Sequence, residues 1–153
     1  MGNSETQELG GLNILWAEDN PNDVQQLRKA LRDLGYKGRL EFARDPVDAL
    51  ALLRGQGEYE AAFQPDLIIS DINMPKMHGL EFIKLLKKDD EFRSIPFVFF
   101  NISEREEDIW RAYDAGAAGY FITPISAQDF QPLIKRILDY WSVSMRPVGS
   151  KAD

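Results

Sequence analysis

Short apolar runs alternate along this chain with longer segments in which apolar residues recur at helical spacing. A short apolar run between turn residues is typical of a buried strand in a parallel sheet. The pattern predicts five strands, each followed by a helix. The strands are expected at residues 12–17, 40–43, 67–70, 96–100 and 119–122.

The first three predicted helices have recognisable starts. Asn20 and Asp45 each precede a proline, which is the arrangement of an N-cap followed by proline at the first helical position. A third helix is expected to begin at Gly79 or Leu80, after a loop in which His78 is interpreted as a solvated residue. Each of these helices is therefore the next predicted element after one of the first three strands.

The last two helices are predicted from different signals. Ser103 followed three residues later by Glu106 matches a capping box, and Ala112 and Tyr113 are expected to form the buried face of the fourth helix. The fifth helix has the clearest apolar stripe of the chain, which ends at Trp141.

Strict alternation of strands and helices predicts the α/β fold class. Such units form a parallel sheet with helices on both faces, joined by right-handed crossovers. We expect a doubly wound, flavodoxin-like sheet of five parallel strands in the order 2-1-3-4-5, with five helices. In that order strands one and three are neighbours, and the carboxyl ends of all strands lie along one edge.

Composition narrows the class of protein. A chain of 153 residues with 44% apolar residues suggests one domain, expected at residues 11–145, with flexible tails at 1–10 and 146–153. The absence of cysteine excludes disulfides and thiol catalysis, and it fits a cytoplasmic protein. A net charge of −7 argues against nucleic-acid binding. No apolar run reaches the roughly 18 residues of a membrane span.

Acidic residues follow the first and third predicted strands. Glu18 and Asp19 end the first, and Asp71 ends the third, so the three would share one pocket if these strands are neighbours. Like charges at this spacing repel one another, and a hard divalent cation such as Mg²⁺ or Mn²⁺ would relieve the repulsion. With a metal present, Asp71 could attack a phosphorus atom. The simpler interpretation is that these acids only cap helices, as Asp19 alone could.

The chain resembles a response-regulator receiver domain, the phosphoacceptor part of two-component signalling. Four segments carry the resemblance, and together they extend over about residues 11–141. They are ILWAEDN at 14–20, PDLIISDINMP at 65–75, Gly79, and AGAAGY at 115–120.

The resemblance implies a role for each matching residue. Asp71 would accept a phosphoryl group from a histidine kinase. Asp19 would bind Mg²⁺ directly, Glu18 would hold a metal-bound water, and Asn73 would supply its backbone carbonyl. Tyr120 would be the aromatic residue that turns inward or outward on activation. Such a protein signals through protein contacts and is not an enzyme with a separate substrate.

Within that family, the chain looks most like single-domain regulators paired with bacterial phytochrome kinases. The supporting features are residues 18–24, the long connection 55–64, residues 103–109 and the ending 137–141. The likeness implies a stand-alone regulator with a histidine kinase partner, of the light-regulated kind found in that sub-family, and a homodimer through the last helix. Trp110 and Trp141 are candidate interface residues, with a surface ring and a core residue as the simpler alternatives.

Two positions depart from the family pattern. Asn101 stands where the family has Ser or Thr at the end of strand four, and Thr123 stands where it has Lys before Pro124. Both family residues stabilise charge on the phosphoryl group, so we expect slow transfer to Asp71 and weak coupling to Tyr120. The alternative is a docking module that acts without phosphorylation.

Two other classes of α/β protein fit less well. A haloacid-dehalogenase type of enzyme also uses a strand-end aspartate with Mg²⁺, but it needs a second aspartate where Asn73 stands. A flavodoxin needs a phosphate-binding loop after the first strand, where the acidic pair Glu18 and Asp19 would repel a phosphate.

Overall fold

The computed structural model describes residues 11–145, so the tails expected at 1–10 and 146–153 lie outside the described residues. The strands are β1 (Ile14–Ala17), β2 (Leu40–Ala43), β3 (Leu67–Ser70), β4 (Phe97–Asn101) and β5 (Gly119–Ile122). The helices are α1 (Pro21–Asp33), α2 (Pro46–Arg54), α3 (Gly79–Lys87), α4 (Glu106–Asp114) and α5 (Ala127–Val143). All strand pairs are parallel and the order is β2-β1-β3-β4-β5, which confirms the predicted flavodoxin-like sheet.

The sheet separates two apolar cores because successive side chains of a strand point to opposite faces. Ile68 and Phe99 pack in the core that also contains residues of α2, α3 and α4. Ile69 and Phe100 pack in the other core, with residues of α1 and α5. Since both faces are covered, the loops at the carboxyl edge of the strands are the part of the sheet left open for a ligand.

Side-chain caps fix the starts of the first three helices. Asn20 Oδ1 accepts a hydrogen bond from the Asn22 N–H over 2.9 Å, and Asp45 Oδ1 accepts one from the N–H three residues later over 2.8 Å. His78 caps α3, because its Nδ1 accepts from the Leu80 N–H over 3.2 Å. The interpretation of His78 as a mere solvated loop residue is therefore incomplete: it is exposed, but it caps a helix.

The capping box predicted for α4 is wrong. The helix begins at Glu106 with Arg105 as its N-cap, and no side-chain hydrogen bond caps it. Ser103 lies two residues further back, where its hydroxyl donates to Asp108 Oδ2 over 2.5 Å. The Ser103 carbonyl accepts from the Tyr120 hydroxyl over 2.9 Å, so a contact with β5 holds this residue outside the helix.

Two predicted helix faces differ from the structure. In α4 only Ala112 is buried, whereas Tyr113 is 49% exposed, so the expected buried face is half wrong. Trp141 is 8% exposed and belongs to the core between α5 and the sheet, which corrects its choice as an interface residue. Trp110 is 73% exposed.

Within residues 11–145, no helix is both long and apolar enough to cross a membrane.

Candidate functional site

Asp71 lies directly after β3, in the middle of the sheet. Ala17 of β1 pairs with Ser70 of β3, so Glu18 and Asp71 continue from neighbouring strands. The Asp71 N–H donates to the Ala17 carbonyl over 3.4 Å, and Asp71 Oδ1 accepts from the Asn73 N–H over 3.2 Å. These bonds hold the carboxylate at the edge where open α/β sheets bind their ligands.

Gly79 sets the shape of the loop that follows Asp71. Its N–H donates to the Ile72 carbonyl over 2.7 Å, which brings the start of α3 against the loop. A Cβ atom at this position would lie 2.5 Å from the Asp71 carbonyl oxygen and 2.8 Å from Ile72 Cα. Because both contacts are with backbone, only glycine allows this approach.

Glu18 is the acid whose protonation the fold changes most clearly. Burial raises the pKa of Glu18 to about 7, and repulsion from Asp23, Asp71 and Asp19 adds to the effect. The Asn20 N–H, which donates to Glu18 Oε2 over 3.1 Å, opposes this change. The site therefore carries more negative charge than its surroundings stabilise.

The pKa of Asp71 is also raised. Burial is the main cause, and the charges of Asp19 and Asp23 contribute, against the opposing hydrogen bonds from the Asn73 and Ile72 N–H groups. Asp23 is not among the residues that the sequence predicted for the site, although it also lines the cavity beside Asp71. A usable signal was available, since the first turn of α1 begins at the same sheet edge as Glu18.

A cavity of about 310 Å³ opens beside these acids. It brings Asp71 and Glu18 together with Thr123, whereas Asp19, Asn73 and Asn101 do not line it. Asp19 and Asn73 are exposed, and Asn101 is buried. The residues that line it are Glu18, Asp23, Gln26, Leu27, Asp71, Phe100, Ile102, Thr123, Pro124, Ile125 and Phe130.

The donor set suits a hard divalent cation. Carboxylate and carbonyl oxygens, without histidine or cysteine, are the ligands preferred by Mg²⁺ and Mn²⁺. The raised pKa values of Glu18 and Asp71 are those of carboxyl groups that lack a positive charge nearby. Within residues 11–145, no three carboxyl or imidazole groups are already gathered into a metal-binding cluster. The chemistry of the residues fits a metal, and their arrangement is not preassembled.

Asn101 contacts Tyr120 directly. Asn101 Nδ2 donates to the Tyr120 hydroxyl over 2.8 Å, and that hydroxyl donates to the Ser103 carbonyl over 2.9 Å. Asn101 is 3% exposed, and its Oδ1 has no hydrogen-bond partner among the described residues. The expectation of weak coupling between this position and Tyr120 did not anticipate the direct bond.

No lysine takes the place that Thr123 leaves. The Thr123 N–H donates to the Asn101 carbonyl over 2.9 Å, as part of the β4–β5 pairing, and its short side chain lines the cavity. Lys76, the nearest lysine to Asp71 in sequence, lies 3.5 Å from Asp45 Oδ2 and does not line the cavity. None of the described residues that line the cavity is basic.

Comparison with known proteins gives one consistent result. The sequence profile of the response regulator receiver domain matches residues 14–135. The chain is 33% identical over 128 residues to the probable methanogenesis regulatory protein FilR2 of Methanothrix harundinacea, covering 84% of this chain and 82% of that protein. It is 30% identical over 128 residues to the response regulator Rcp1 of Synechocystis sp., covering 84% of this chain and 87% of Rcp1.

Solved structures agree with the sequence comparison. The phosphorylated cyanobacterial phytochrome response regulator RcpA matches with a TM-score of 0.82 at 32% identity, covering 89% of this chain and 98% of that one. The Mn²⁺-bound form of Rcp1 matches with a TM-score of 0.82 at 28% identity, covering 90% of this chain and 99% of that one. The chain therefore belongs to the response regulator receiver domain family of two-component signalling, and it is similar to phytochrome response regulators.

Proposed function

We propose that this protein is a response regulator in which Asp71 accepts a phosphoryl group from a histidine kinase, with Mg²⁺ or Mn²⁺, and which signals through protein contacts. The observation that carries the proposal is the position of Asp71, a half-buried carboxylate at the sheet edge beside Glu18 and an open cavity. RcpA, a similar protein, has been crystallised in a phosphorylated form.

The reaction is a transfer from nitrogen to oxygen. An Asp71 carboxylate oxygen forms a bond to phosphorus while the bond between phosphorus and the kinase histidine nitrogen breaks, and that nitrogen takes up a proton. The product is an acyl phosphate on Asp71. The Asn73 N–H restrains the attacking carboxylate by its bond to Oδ1. Gly79 keeps the loop that presents it in place.

Metal binding follows from the same carboxylates. Glu18, Asp19, Asp71 and the backbone carbonyl of Asn73 are the groups that would hold Mg²⁺ or Mn²⁺. The metal would neutralise charge on the transferring phosphoryl group. Rcp1 has been crystallised with Mn²⁺, which supports the choice of ion.

No basic side chain lines the cavity among the described residues, and this sets the expected rate of transfer. Neither Thr123 nor Asn101 brings a positive charge, so the phosphoryl group is stabilised less than by a lysine ammonium. We therefore expect transfer to Asp71 to be slow from small donors. The cognate kinase is proposed to be a phytochrome kinase because the similar protein RcpA is a phytochrome response regulator.

The proposed site is tested by intact mass measurement. The full chain is incubated with Mg²⁺ and acetyl phosphate or phosphoramidate, and then with a candidate kinase and ATP. We expect a mass gain of one phosphoryl group that is lost in Asp71→Asn and kept in Asp114→Asn, an exposed aspartate at the end of α4. Failure of every donor, including the cognate kinase, would contradict the proposal.

A second candidate function is a docking module that needs no phosphorylation. It is favoured by the absence of a basic residue from the described lining of the cavity and by the exposure of Trp110 on α4. In this case Asp71→Asn would bind the physiological partner as tightly as the natural protein.

A homodimer through α5 would use its exposed residues Tyr140 and Val143 rather than Trp141. We place either form of the protein in the cytoplasm.

A further inference from the structure

The loop between β3 and α3 contains a strained turn at Lys76. Among residues 11–145, Lys76 is the only residue other than glycine with a positive φ, which is 67°. The Met77 N–H donates to the Pro75 carbonyl over 2.7 Å, so Lys76 is the central residue of a three-residue turn. A side chain makes this backbone conformation unfavourable, and such conformations persist where surrounding contacts hold them.

The Lys76 side chain makes an ion pair with a buried carboxylate. Its Nζ lies 3.5 Å from Asp45 Oδ2. Asp45 is 5% exposed, and its other oxygen, Oδ1, accepts the hydrogen bond from the Asp48 N–H at the start of α2. Within residues 11–145, Lys76 is the only basic residue that pairs with this carboxylate. Because a buried carboxylate is destabilised when it loses its cation, this pair constrains the loop more than a pair between two exposed side chains would.

The pair connects two loops at the carboxyl edge of the sheet. Asp45 follows β2 and Lys76 follows β3, and β1 lies between these two strands. At the beginning of the β3–α3 loop, the Asn73 N–H donates to Asp71 Oδ1, and at its end Gly79 packs against the loop backbone. The ion pair therefore ties the segment between Asn73 and Gly79 to the loop that follows β2.

Apolar contacts alone would fix this segment less precisely. Met74 and Met77 are partly buried against the core that contains residues of α2, α3 and α4. Methionine is unbranched and flexible, so its packing tolerates small shifts of the backbone. The ion pair of Lys76 is the polar contact that sets the position of the turn.

We propose that Lys76 is a positioning residue of the phosphoacceptor site, whose ion pair with Asp45 holds the β3–α3 loop in the conformation in which Asp71 and Asn73 would bind Mg²⁺ or Mn²⁺. The inference rests on the proposed function of Asp71. It explains why a residue with a side chain occupies a strained turn, since the side chain is needed to reach Asp45. A residue better suited to the turn should therefore keep the fold and lose metal affinity.

The test measures metal affinity and stability on the same variants. Lys76→Asn removes the ammonium group, and asparagine adopts a positive φ more readily than lysine does. Mn²⁺ binding to the full chain is followed from the electron paramagnetic resonance signal of the free ion. We expect Lys76→Asn to weaken Mn²⁺ binding about three- to tenfold, somewhat less than the loss of a group that bonds a metal ligand directly. The midpoint of urea denaturation in EDTA should stay unchanged or rise.

Two further lysine variants are the controls. Lys37→Asn removes the same charge from the exposed loop between α1 and β2 and should bind Mn²⁺ like the natural protein. Lys76→Arg keeps a positive charge that can reach Asp45 and should retain the natural affinity.

The sign of the change separates positioning from charge. Removal of a positive charge near the acids should by itself strengthen the binding of a cation. Unchanged or tighter Mn²⁺ binding in Lys76→Asn would therefore overturn the proposal. A weaker affinity accompanied by a lower urea midpoint would also overturn it, because general loosening of the fold would then explain the loss.

A double variant tests whether Lys76 acts through Asp45. Asp45→Asn removes the charge and keeps an oxygen that can cap α2. It should also weaken Mn²⁺ binding, and the variant with both substitutions should lose less affinity than the product of the two single losses. Losses that multiply would show that the two residues act independently and would overturn the proposed pair.

The two proposals fail in different ways. Mn²⁺ affinity and urea denaturation are measured without a phosphoryl donor, whereas Asp71 phosphorylation is measured by mass. Phosphorylation of Asp71 together with an unchanged Mn²⁺ affinity in Lys76→Asn would overturn only the positioning role of Lys76. Mn²⁺ binding that depends on Lys76, in a protein that no donor phosphorylates, would overturn only the proposed role of Asp71 as phosphoacceptor.

Discussion

The carboxyl edge of the sheet has one half at the ends of β1 and β3 and another at the ends of β4 and β5. The two halves differ in how firmly contacts within the chain hold their polar groups. At the ends of β1 and β3, Asp71 is held by backbone hydrogen bonds, and Gly79 packs against its loop without room for a Cβ. At the ends of β4 and β5, Asn101 keeps one amide atom unpartnered within residues 11–145, and Thr123 brings no charge. The side that holds Asp71 is fixed by contacts within the chain, whereas the side at Asn101 and Thr123 lacks a positive charge.

The difference separates two tasks that a phosphoacceptor site must perform. Positioning a carboxylate requires a fixed backbone, which short-range contacts within one chain provide. Stabilising the transferring phosphoryl group requires positive charge, and charge can come from a metal or from another protein. A site can therefore keep the first task internal and leave part of the second to a partner.

The largest expected effect comes from adding a positive charge at the ends of β4 and β5. Thr123→Lys should raise the rate of Asp71 phosphorylation by acetyl phosphate about 100- to 1000-fold, because one charge-stabilising donor is worth about 2.7–4 kcal/mol in such sites. The rate is followed by intact mass with Mg²⁺ present. Gln56→Lys, which adds the same charge at an exposed site outside the cavity lining, is the matched control and should have the natural rate. An unchanged rate in Thr123→Lys would show that the charge at this position does not limit transfer.

Disturbing the half that holds Asp71 should cost stability. Gly79→Ala would drive a Cβ against the Asp71 carbonyl oxygen and Ile72 Cα, so we expect the free energy of unfolding to fall by about 3 kcal/mol. Gly57→Ala is the control, since it has a φ of +64° and nothing within 4 Å of the added Cβ. Its strain alone should cost about 1 kcal/mol. Urea denaturation measures both changes.

A second readout keeps the Gly79 prediction specific. Only Gly79→Ala should also slow Asp71 phosphorylation, because only Gly79 contacts the loop that carries the carboxylate. Equal losses of stability in Gly79→Ala and Gly57→Ala would contradict the steric explanation.

The bond between Asn101 and Tyr120 should have a smaller effect. Tyr120→Phe would remove the acceptor of the Asn101 Nδ2 donor and leave both polar atoms of this buried amide unpartnered, at a cost of about 1–3 kcal/mol. Asn101→Leu in the same background should recover part of the loss. The exposed Tyr113→Phe is the control, with a change within about 0.5 kcal/mol. Strictly additive effects of the Tyr120 and Asn101 substitutions would refute the coupling.

The smallest expected effect concerns the protonation of Glu18. Its pKa in the folded state is about 7, above the ordinary value of 4.5, so the folded state binds the proton more tightly than the unfolded state does. Stability should fall as pH rises from about 4.5 to about 7 and then level off for this group. In EDTA at pH 8, Glu18→Gln should be more stable than the natural protein by about 1 kcal/mol, allowing for solvent screening.

The pH prediction has its own control. The advantage of Glu18→Gln should disappear near pH 4, where the natural Glu18 is protonated in both states. Glu60→Gln, an exposed glutamate, should show no such pH dependence. If the advantage of Glu18→Gln were the same at pH 4 and pH 8, burial of an ionised Glu18 carboxylate among other acids would not be its cause.

Local patterns predicted the sheet and the starts of the first three helices well, because these features depend on neighbouring residues. Apolar runs located β2, β3 and β5 to the residue, and Asn20 and Asp45 were correctly predicted as caps. The edge position of Asp71 and Glu18 followed from strand order alone. To predict these features it is enough to know the spacing at which apolar residues recur and the chemistry of single residues.

The missed features depend on contacts between distant parts of the chain. Ser103 fails to cap α4 because Tyr120, from a later strand, holds its carbonyl. Trp141 is buried because the sheet lies beneath the end of α5. Asp23 joins the site because α1 starts at the edge where Asp71 ends a different strand. In each of these cases the contacting residue is far away in the sequence, so no local pattern could have indicated the contact.

The three tryptophans of the chain differ in their exposure to solvent. Because of this difference, the intrinsic tryptophan fluorescence can be used to follow binding. Trp16 is 1% exposed and Trp141 is 8% exposed, whereas Trp110 on α4 is 73% exposed. Emission from the first two is shielded from water, so the quenchable, solvent-relaxed part of the fluorescence comes from Trp110. Binding of a partner over α4 should therefore shift the Trp110 emission to shorter wavelength. This shift can be measured without attaching a label to either protein.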